Sequence, residues 1–292
     1  MLVGVAGIAF VARTLVSRWD DVKDAFSGID PLPLVGSVLL GLLAMTLIGA
    51  LWVGMLQSRG HHAPRNRAMS WYYVGQLGKY VPGGIWPIVG RAELAVRGGV
   101  DRPAAYKATG MSLMTTYAAA TVAIAIGSLS HPAYLPAGAA VLAGLAAGWF
   151  VLGSASVTGR VSALITRVTK RTLVFPERRR FYALTAAHVP SWVLMSLSTS
   201  ITAHAFGADI NPLRMLFITS LSWLAGFVVV GVPGGIGVRE SIFTALAGGI
   251  VGTPVAVSLA LVSRVVFILV DLLGAALSTL VAGATRTQSA EG

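Results

Sequence analysis

The sequence predicts an all-α, multi-pass transmembrane helical bundle of about seven or eight spans, interrupted by two re-entrant segments broken by proline and glycine. Three observations carry this expectation. Apolar residues make up 55% of the 292 residues against 11% charged, with a mean hydropathy of +0.76, too apolar a balance to solvate a water-soluble domain. The apolar residues fall in runs that match the roughly 20 residues a helix needs to cross a hydrocarbon core about 30 Å thick. Two further runs are apolar overall yet hold proline, adjacent glycines and charges, which a plain lipid-facing helix does not tolerate. The expected organisation is one integral membrane domain over residues 1–292, with broken segments near 69–96 and 233–250 and a basic interfacial segment at 155–180.

Taken in order, residues 2–16 read as a first span, since no basic leader marks them as a cleaved signal. Further spans are expected at 33–56, 104–129, 134–152, 182–206, 213–230 and 255–281. Between the fourth and fifth, residues 160–174 place Val161, Leu164, Ile165 and Val168 at helical spacing, with Arg167, Lys170 and Arg171 mostly on the other face. Such a helix suits the membrane surface. The following Arg178, Arg179 and Arg180 would sit against anionic headgroups, although an ordinary basic loop explains the same charges.

A net charge of +11 could suggest nucleic acid, but the basic residues concentrate in loops between apolar runs, so membrane is the expected partner and nucleic acid is not. Placing 59–67 and 160–180 on the cytoplasmic side makes 97–107 cytoplasmic as well, provided 69–96 enters and returns on one side. The N-terminus is then cytoplasmic, and the plasma (inner) membrane is the expected location. The chain has no cysteine, which excludes disulfides, thiol catalysis and thiolate metal sites. His61 and His62 lack a metal-ligand pattern, and no cofactor or metal is expected.

The strongest signal is an internal echo: Val81-Pro82-Gly83-Gly84-Ile85 returns as Val232-Pro233-Gly234-Gly235-Ile236. Each copy continues to an arginine and a nearby glutamate, Arg91 and Glu93 in the first, Arg239 and Glu240 after Gly237 in the second. Proline ends a helix, and paired glycines allow a tight turn that bares backbone amides. At membrane depth such backbone persists only where protein or a water-filled cavity surrounds it, and broken helices in both halves are the pattern of a transporter site. With Lys79 alongside, amides, a helix N-terminus and cations suit an anion such as a phosphate. The plainer alternative pairs Arg91 with Glu93 and Arg239 with Glu240, or across the repeat, so that the charges merely hold the hairpins.

Arg264 and Asp271 are seven residues apart, on nearly one face of the last span. Asp271 could pair with a site arginine, relay a proton or lock two helices, and Arg264 could snorkel to the interface. Tyr80 and Trp86 read as interface anchors before ligand contacts, and His188 as a buried, hydrogen-bonded helix residue.

The run from Gly75 to Trp86, Gly-Gln-Leu-Gly-Lys-Tyr-Val-Pro-Gly-Gly-Ile-Trp, with Arg91 following and residues 232–240 later, resembles the lysylphosphatidylglycerol synthetase transmembrane family. That resemblance implies that Lys79, Pro82, Gly83, Gly84, Arg91, Pro233, Gly234, Gly235, Gly237, Arg239 and Glu240 occupy the family's pattern positions. It also implies transbilayer movement of a lipid. The chain ends soon after its last span, so the soluble aminoacyl-transferase domain of two-part members is not expected, and an enzymatic role is not expected either. The leading expectation is a flippase that binds an anionic lipid headgroup through Lys79, Arg91 and Arg239, with Glu93, Glu240 and Asp271 tuning those cations or recognising a cationic substituent on the headgroup, and Glu93, Arg264 and Asp271 as possible coupling or pairing residues. The lipid would be a phospholipid, an aminoacylated phospholipid or a polyprenyl-phosphate-linked intermediate. Two alternatives stand beside it: a membrane enzyme acting on lipid-linked phosphate with Glu240 or Asp271 as base, and a scaffold whose partner is an envelope-biosynthesis enzyme.

Overall fold

In a computed structural model the described residues are 20, 30–57, 63–81, 85–169, 175–228 and 235–288. They form ten α-helices and no strand: α1 (Pro31–Gln57), α2 (Arg65–Gln76), α3 (Trp86–Arg97), α4 (Arg102–Ser128), α5 (Leu135–Gly153), α6 (Ala155–Thr169), α7 (Arg178–Ala205), α8 (Pro212–Val228), α9 (Val238–Val251) and α10 (Thr253–Gln288). A 3₁₀ turn, Leu77–Tyr80, follows α2, and another, Pro132–Tyr134, precedes α5. The expected first span at 2–16 lies outside the described residues.

Among the described residues four helical stretches are long and apolar enough to cross a membrane: Pro31–Gln57, Arg102–Ser128, Pro132–Gly153 and Thr253–Ala284. They match the runs expected at 33–56, 104–129, 134–152 and 255–281. The run expected at 182–206 lies in α7, 28 residues long but more polar, because Thr185, His188, Ser191, Ser196, Ser198, Thr199 and Thr202 all turn inward and are buried. The run expected at 213–230 is represented by α8, of 17 residues. The surface helix expected from residue 160 begins earlier, at Ala155, and none of its described side chains is buried.

Each long helix after a break starts on a recognisable signal. Gly99 (φ 96°) turns the chain out of α3, Asp101 caps α4 by accepting from the Ala104 amide at 3.2 Å, and Pro103 occupies its first turn. In the second half Gly252 (φ 84°) plays the same part before Thr253 and Pro254 at the start of α10. The echo seen in the sequence therefore extends to a shared order: short helix, break, short helix, left-handed glycine, long helix.

Both short-helix pairs fold back on themselves. Gly98 abuts the Trp71 ring, Gly75 abuts Arg91, and Gly78 abuts Trp86 and Pro87, so α2 and α3 form an antiparallel hairpin whose tip is the first break. Gly226 touches Gly235 and Arg239, so α9 likewise returns along α8 from the second break. The bases of the two hairpins lie at opposite ends of α4. Asp101 links the first to its start, and Gly127 near its end meets the backbone at Leu213 and Phe217. At about 1.5 Å per residue this helix spans roughly 40 Å.

The remaining helices frame this opposition. Ser37 Oγ donates to the Ser198 carbonyl at 2.7 Å and shares hydrogen bonds with the Ser198 and Thr202 hydroxyls, fastening α1 antiparallel to α7. Trp192 donates from its indole to the Thr116 carbonyl at 2.9 Å, joining α7 to α4. Contacts along the bundle gather Arg65, Arg67, Arg97, Arg102 and Arg178 to Arg180 at the end holding the first hairpin's base, the charge asymmetry the sequence leads one to expect.

The first hairpin depends on a missing side chain. A Cβ on Gly75 would stand 2.7 Å from that of Arg91, so Gly75→Ala should lower the stability of detergent-solubilised protein by about 1–3 kcal/mol. Gly110→Ala, in α4 with nothing within 4 Å, should leave it unchanged or raise it by up to about 1 kcal/mol. Thermal unfolding followed by circular dichroism separates the two, and equal melting of both variants would contradict this account of the hairpin.

Candidate functional site

The two hairpin tips meet halfway along α10. At the first, α2 tightens into its 3₁₀ turn because Gly78 lies against the Trp86–Pro87 backbone, where a side chain would clash. The turn carries Lys79 and Tyr80 to Asp271. Lys79 Nζ lies 2.5 Å from Asp271 Oδ2, and the Tyr80 hydroxyl donates to the same oxygen at 2.5 Å. Asp271 is only 1% exposed, and its second oxygen, Oδ1, has no partner among the described residues.

At the second tip, Gly235 (φ 66°) lets the backbone pass against Gly226, and Gly237 (φ 83°) precedes the first residue of α9. Both glycines hold a conformation that a side chain would strain. The Gly237 amide donates to Glu240 Oε2 at 2.7 Å, closing the N-terminus of α9. The other Glu240 oxygen receives Arg264 Nη1 at 2.6 Å. Arg239 turns elsewhere: its guanidinium lies 4.0 Å from the centre of the Trp223 ring, with Nη2 3.4 Å from Ser263 Oγ. Lys79 Nζ stands 5.8 Å from the same ring, so Trp223 receives one cation from each hairpin.

Arg91 occupies a separate recess, 4% exposed, on the face of α3 that Gly75 allows to approach α2. Its guanidinium lies 5.1 Å from the centre of the Tyr72 ring and 5.4 Å from that of Trp52, and Nε has no partner among the described residues. Tyr117 and Phe227, 5.2 Å apart between ring centres, and Phe227 and Trp223, 5.8 Å apart, continue an aromatic wall beside the second tip. His188 is buried with Nδ1 2.7 Å from the Leu184 carbonyl, as expected of a helix residue.

These contacts decide among the pairings left open by the sequence. Glu93 does not meet Arg91; it takes Arg102 at 2.5 and 3.1 Å and the Tyr106 hydroxyl at 2.7 Å, at the basic end of the bundle. Glu240 pairs with Arg264 and not with Arg239, and Asp271 pairs with a lysine and not an arginine. Arg264 consequently faces the second tip, its side chain 16% exposed, and does not snorkel. Tyr80 is a partner of Asp271, while Trp86 is 45% exposed. Lys79, Gly235, Gly237, Arg239, Glu240, Arg264 and Asp271 are thus brought together. Arg91 stands nearby and Glu93 apart. Pro82, Gly83, Gly84, Pro233 and Gly234 lie outside the described residues. Sequence reasoning did not find Trp223, Ser263, Tyr72 or Trp52, since aromatic and small polar residues inside apolar runs carry no distinguishing spacing.

Among the described residues no group of three or more His, Asp or Glu side chains could hold a metal ion. What the site offers is cationic and aromatic: two ion pairs, Lys79 with Asp271 and Arg264 with Glu240, and two buried guanidiniums on ring faces with no acid partner among the described residues.

Opposed hairpins whose charged tips meet inside a bundle of apolar helices define a multi-pass membrane protein built around an intramembrane polar site. The chain belongs to the family described as the lysylphosphatidylglycerol synthase TM region, whose model matches residues 1–274. Membership points to a membrane function concerned with lipid. No curated protein matches the chain.

Breaking a buried ion pair on one side leaves an uncompensated charge, whereas removing both partners does not. Lys79→Met and Asp271→Leu should each destabilise the solubilised protein by about 3 kcal/mol or more, and the double variant by clearly less than the sum. Unfolding measurements on the four proteins of this cycle test the pair, and strict additivity would count against it.

Proposed function

We propose that this protein is a flippase-type transporter that moves a phosphate-bearing lipid across the membrane. The observation that carries the reading is the meeting of two oppositely directed hairpin tips, each delivering a cation, Lys79 or Arg239, to the Trp223 ring. A site built from broken helices in two opposed repeats, near mid-depth, can be reached from either surface by rearrangement of one repeat against the other.

In this reading the headgroup enters between the hairpins while its tails stay in lipid. Arg239, whose guanidinium lies over an aromatic ring with no paired carboxylate among the described residues, contacts the phosphate through two parallel N–H donors. Lys79 stands beside the same ring, and Arg91 offers a further cation beyond Tyr72. Glu240 and Asp271 hold Arg264 and Lys79 in place. Those two carboxylates are also the candidate bases of a lipid-phosphate enzyme, and their pairing with cations favours binding over catalysis. Family membership supports a lipid-related role, and the basic end of the bundle fits the cytoplasmic surface of the plasma membrane. The basic helix α6 and Arg178 to Arg180 would lie along that surface against anionic headgroups.

Arg239→Gln should insert normally yet move fluorescent phospholipid across proteoliposomes at least about tenfold more slowly than wild type, the loss expected when a charge-assisted contact goes. Unchanged translocation would remove Arg239 from the mechanism. Recovery of a chemically altered lipid from the same vesicles would turn the assignment to an enzyme.

A further inference from the structure

The charges around the hairpin tips do not balance. Among the described residues three cations, Lys79, Arg239 and Arg264, face two carboxylates, Asp271 and Glu240, and Arg91 adds a fourth cation in its own recess. Each carboxylate is already held by one cation: Asp271 by Lys79 at 2.5 Å and Glu240 by Arg264 at 2.6 Å. Two buried positive charges remain, and both belong to arginines that rest on aromatic faces. Glu93 cannot offset them, since it is engaged by Arg102 and Tyr106 at the end of the bundle. A guanidinium does not shed its proton at ordinary pH, so the excess is permanent and a ligand must answer it.

Resting on the lipid-transport reading above, we infer that the ligand is a lipid phosphate with net negative charge and no ammonium group on its headgroup. An ammonium would find no unmatched negative charge here among the described residues. Both carboxylates that could pair with it have their charge matched. The ring faces that would receive a quaternary amine are also taken, Trp223 by Arg239 and Lys79, and Trp52 and Tyr72 by Arg91. Adding a cation to a buried site that already carries the uncompensated Arg239, with Arg91 in the adjoining recess, is opposed by like-charge repulsion in a medium that screens little. This separates the site from one built for a lysylated lipid, whose headgroup carries more positive than negative charge.

The remaining acceptor fits the same ligand class. Asp271 Oδ1 is buried without a partner among the described residues, on the carboxylate that Lys79 and Tyr80 hold through Oδ2. A headgroup hydroxyl donating to that oxygen while its phosphate meets Arg239 or Lys79 satisfies both kinds of unfilled contact, as a glycerol or sugar phosphate can. A phosphodiester lipid supplies one negative charge and a phosphomonoester up to two.

The test is binding, measured apart from transport. The full chain in detergent is titrated with short-chain phosphatidylglycerol, phosphatidic acid, phosphatidylcholine and lysylphosphatidylglycerol. The two anionic lipids should bind at least about tenfold more tightly than the zwitterionic and the lysylated ones. Whichever anionic lipid binds more tightly names the phosphate as diester or monoester. Arg239→Gln should erase the preference and Arg239→Lys should keep most of it, with circular dichroism showing that both remain helical. Lysylphosphatidylglycerol binding as tightly as phosphatidylglycerol overturns the inference, as does saturable binding of none of the four or a preference unmoved in both Arg239→Gln and Arg91→Gln. Selective anion binding without translocation in proteoliposomes defeats the transport reading and leaves this assignment standing. Translocation that favours the lysylated lipid does the reverse.

Discussion

Charge held at the middle of an apolar bundle has to be answered there, and in this protein a single helix answers most of it. Helix α10 presents Arg264 to Glu240 of the second hairpin and Asp271 to Lys79 and Tyr80 of the first. Without those contacts the tips would carry isolated charges and open backbone into a region where neither is solvated. The fold around them can be understood as a means of keeping the two hairpins pressed to α10: glycines where chains must approach, hydroxyls fastening α1 to α7, and long apolar helices outside.

The arrangement also explains why the two copies of the motif are not used identically. In the second copy the glutamate follows its arginine directly and reaches back to the Gly237 amide, sealing the start of α9 while its other oxygen holds α10. In the first copy the glutamate comes two residues after its arginine, on the opposite side of α3, and joins Arg102 and Tyr106 at the bundle's end. What the copies share is an arginine turned inward onto aromatic rings. Cation–ring contacts in place of ion pairs leave those guanidiniums shielded from lipid.

Much of this was legible in the sequence, and the part that was not has a geometric reason. Hydropathy located the spans because a lipid-facing helix must be apolar along its whole length, and α7 strays from the pattern only where its hydroxyls turn inward. The repeated Val-Pro-Gly-Gly-Ile marked where α2 gives way to α3 and α8 to α9. The pairing of charges could not be read, because residues one or two apart on a helix point in different directions and do not face each other. Seven-residue spacing does preserve a face, which is why Arg264 and Asp271 were recognisable as inward neighbours while their partners, on distant segments, were not. Trp223 was invisible for a related reason: an aromatic residue in an apolar run looks the same whether it meets lipid, a neighbouring helix or a guanidinium.

Because Arg264 and Asp271 lie on one face of one continuous helix, they are latches on a common bolt. A rotation of α10 that draws Arg264 from Glu240 also draws Asp271 from Lys79. The two hairpins therefore share one mechanical state at these contacts, and a disturbance felt at one tip is transmitted along about 10 Å of rigid rod to the other.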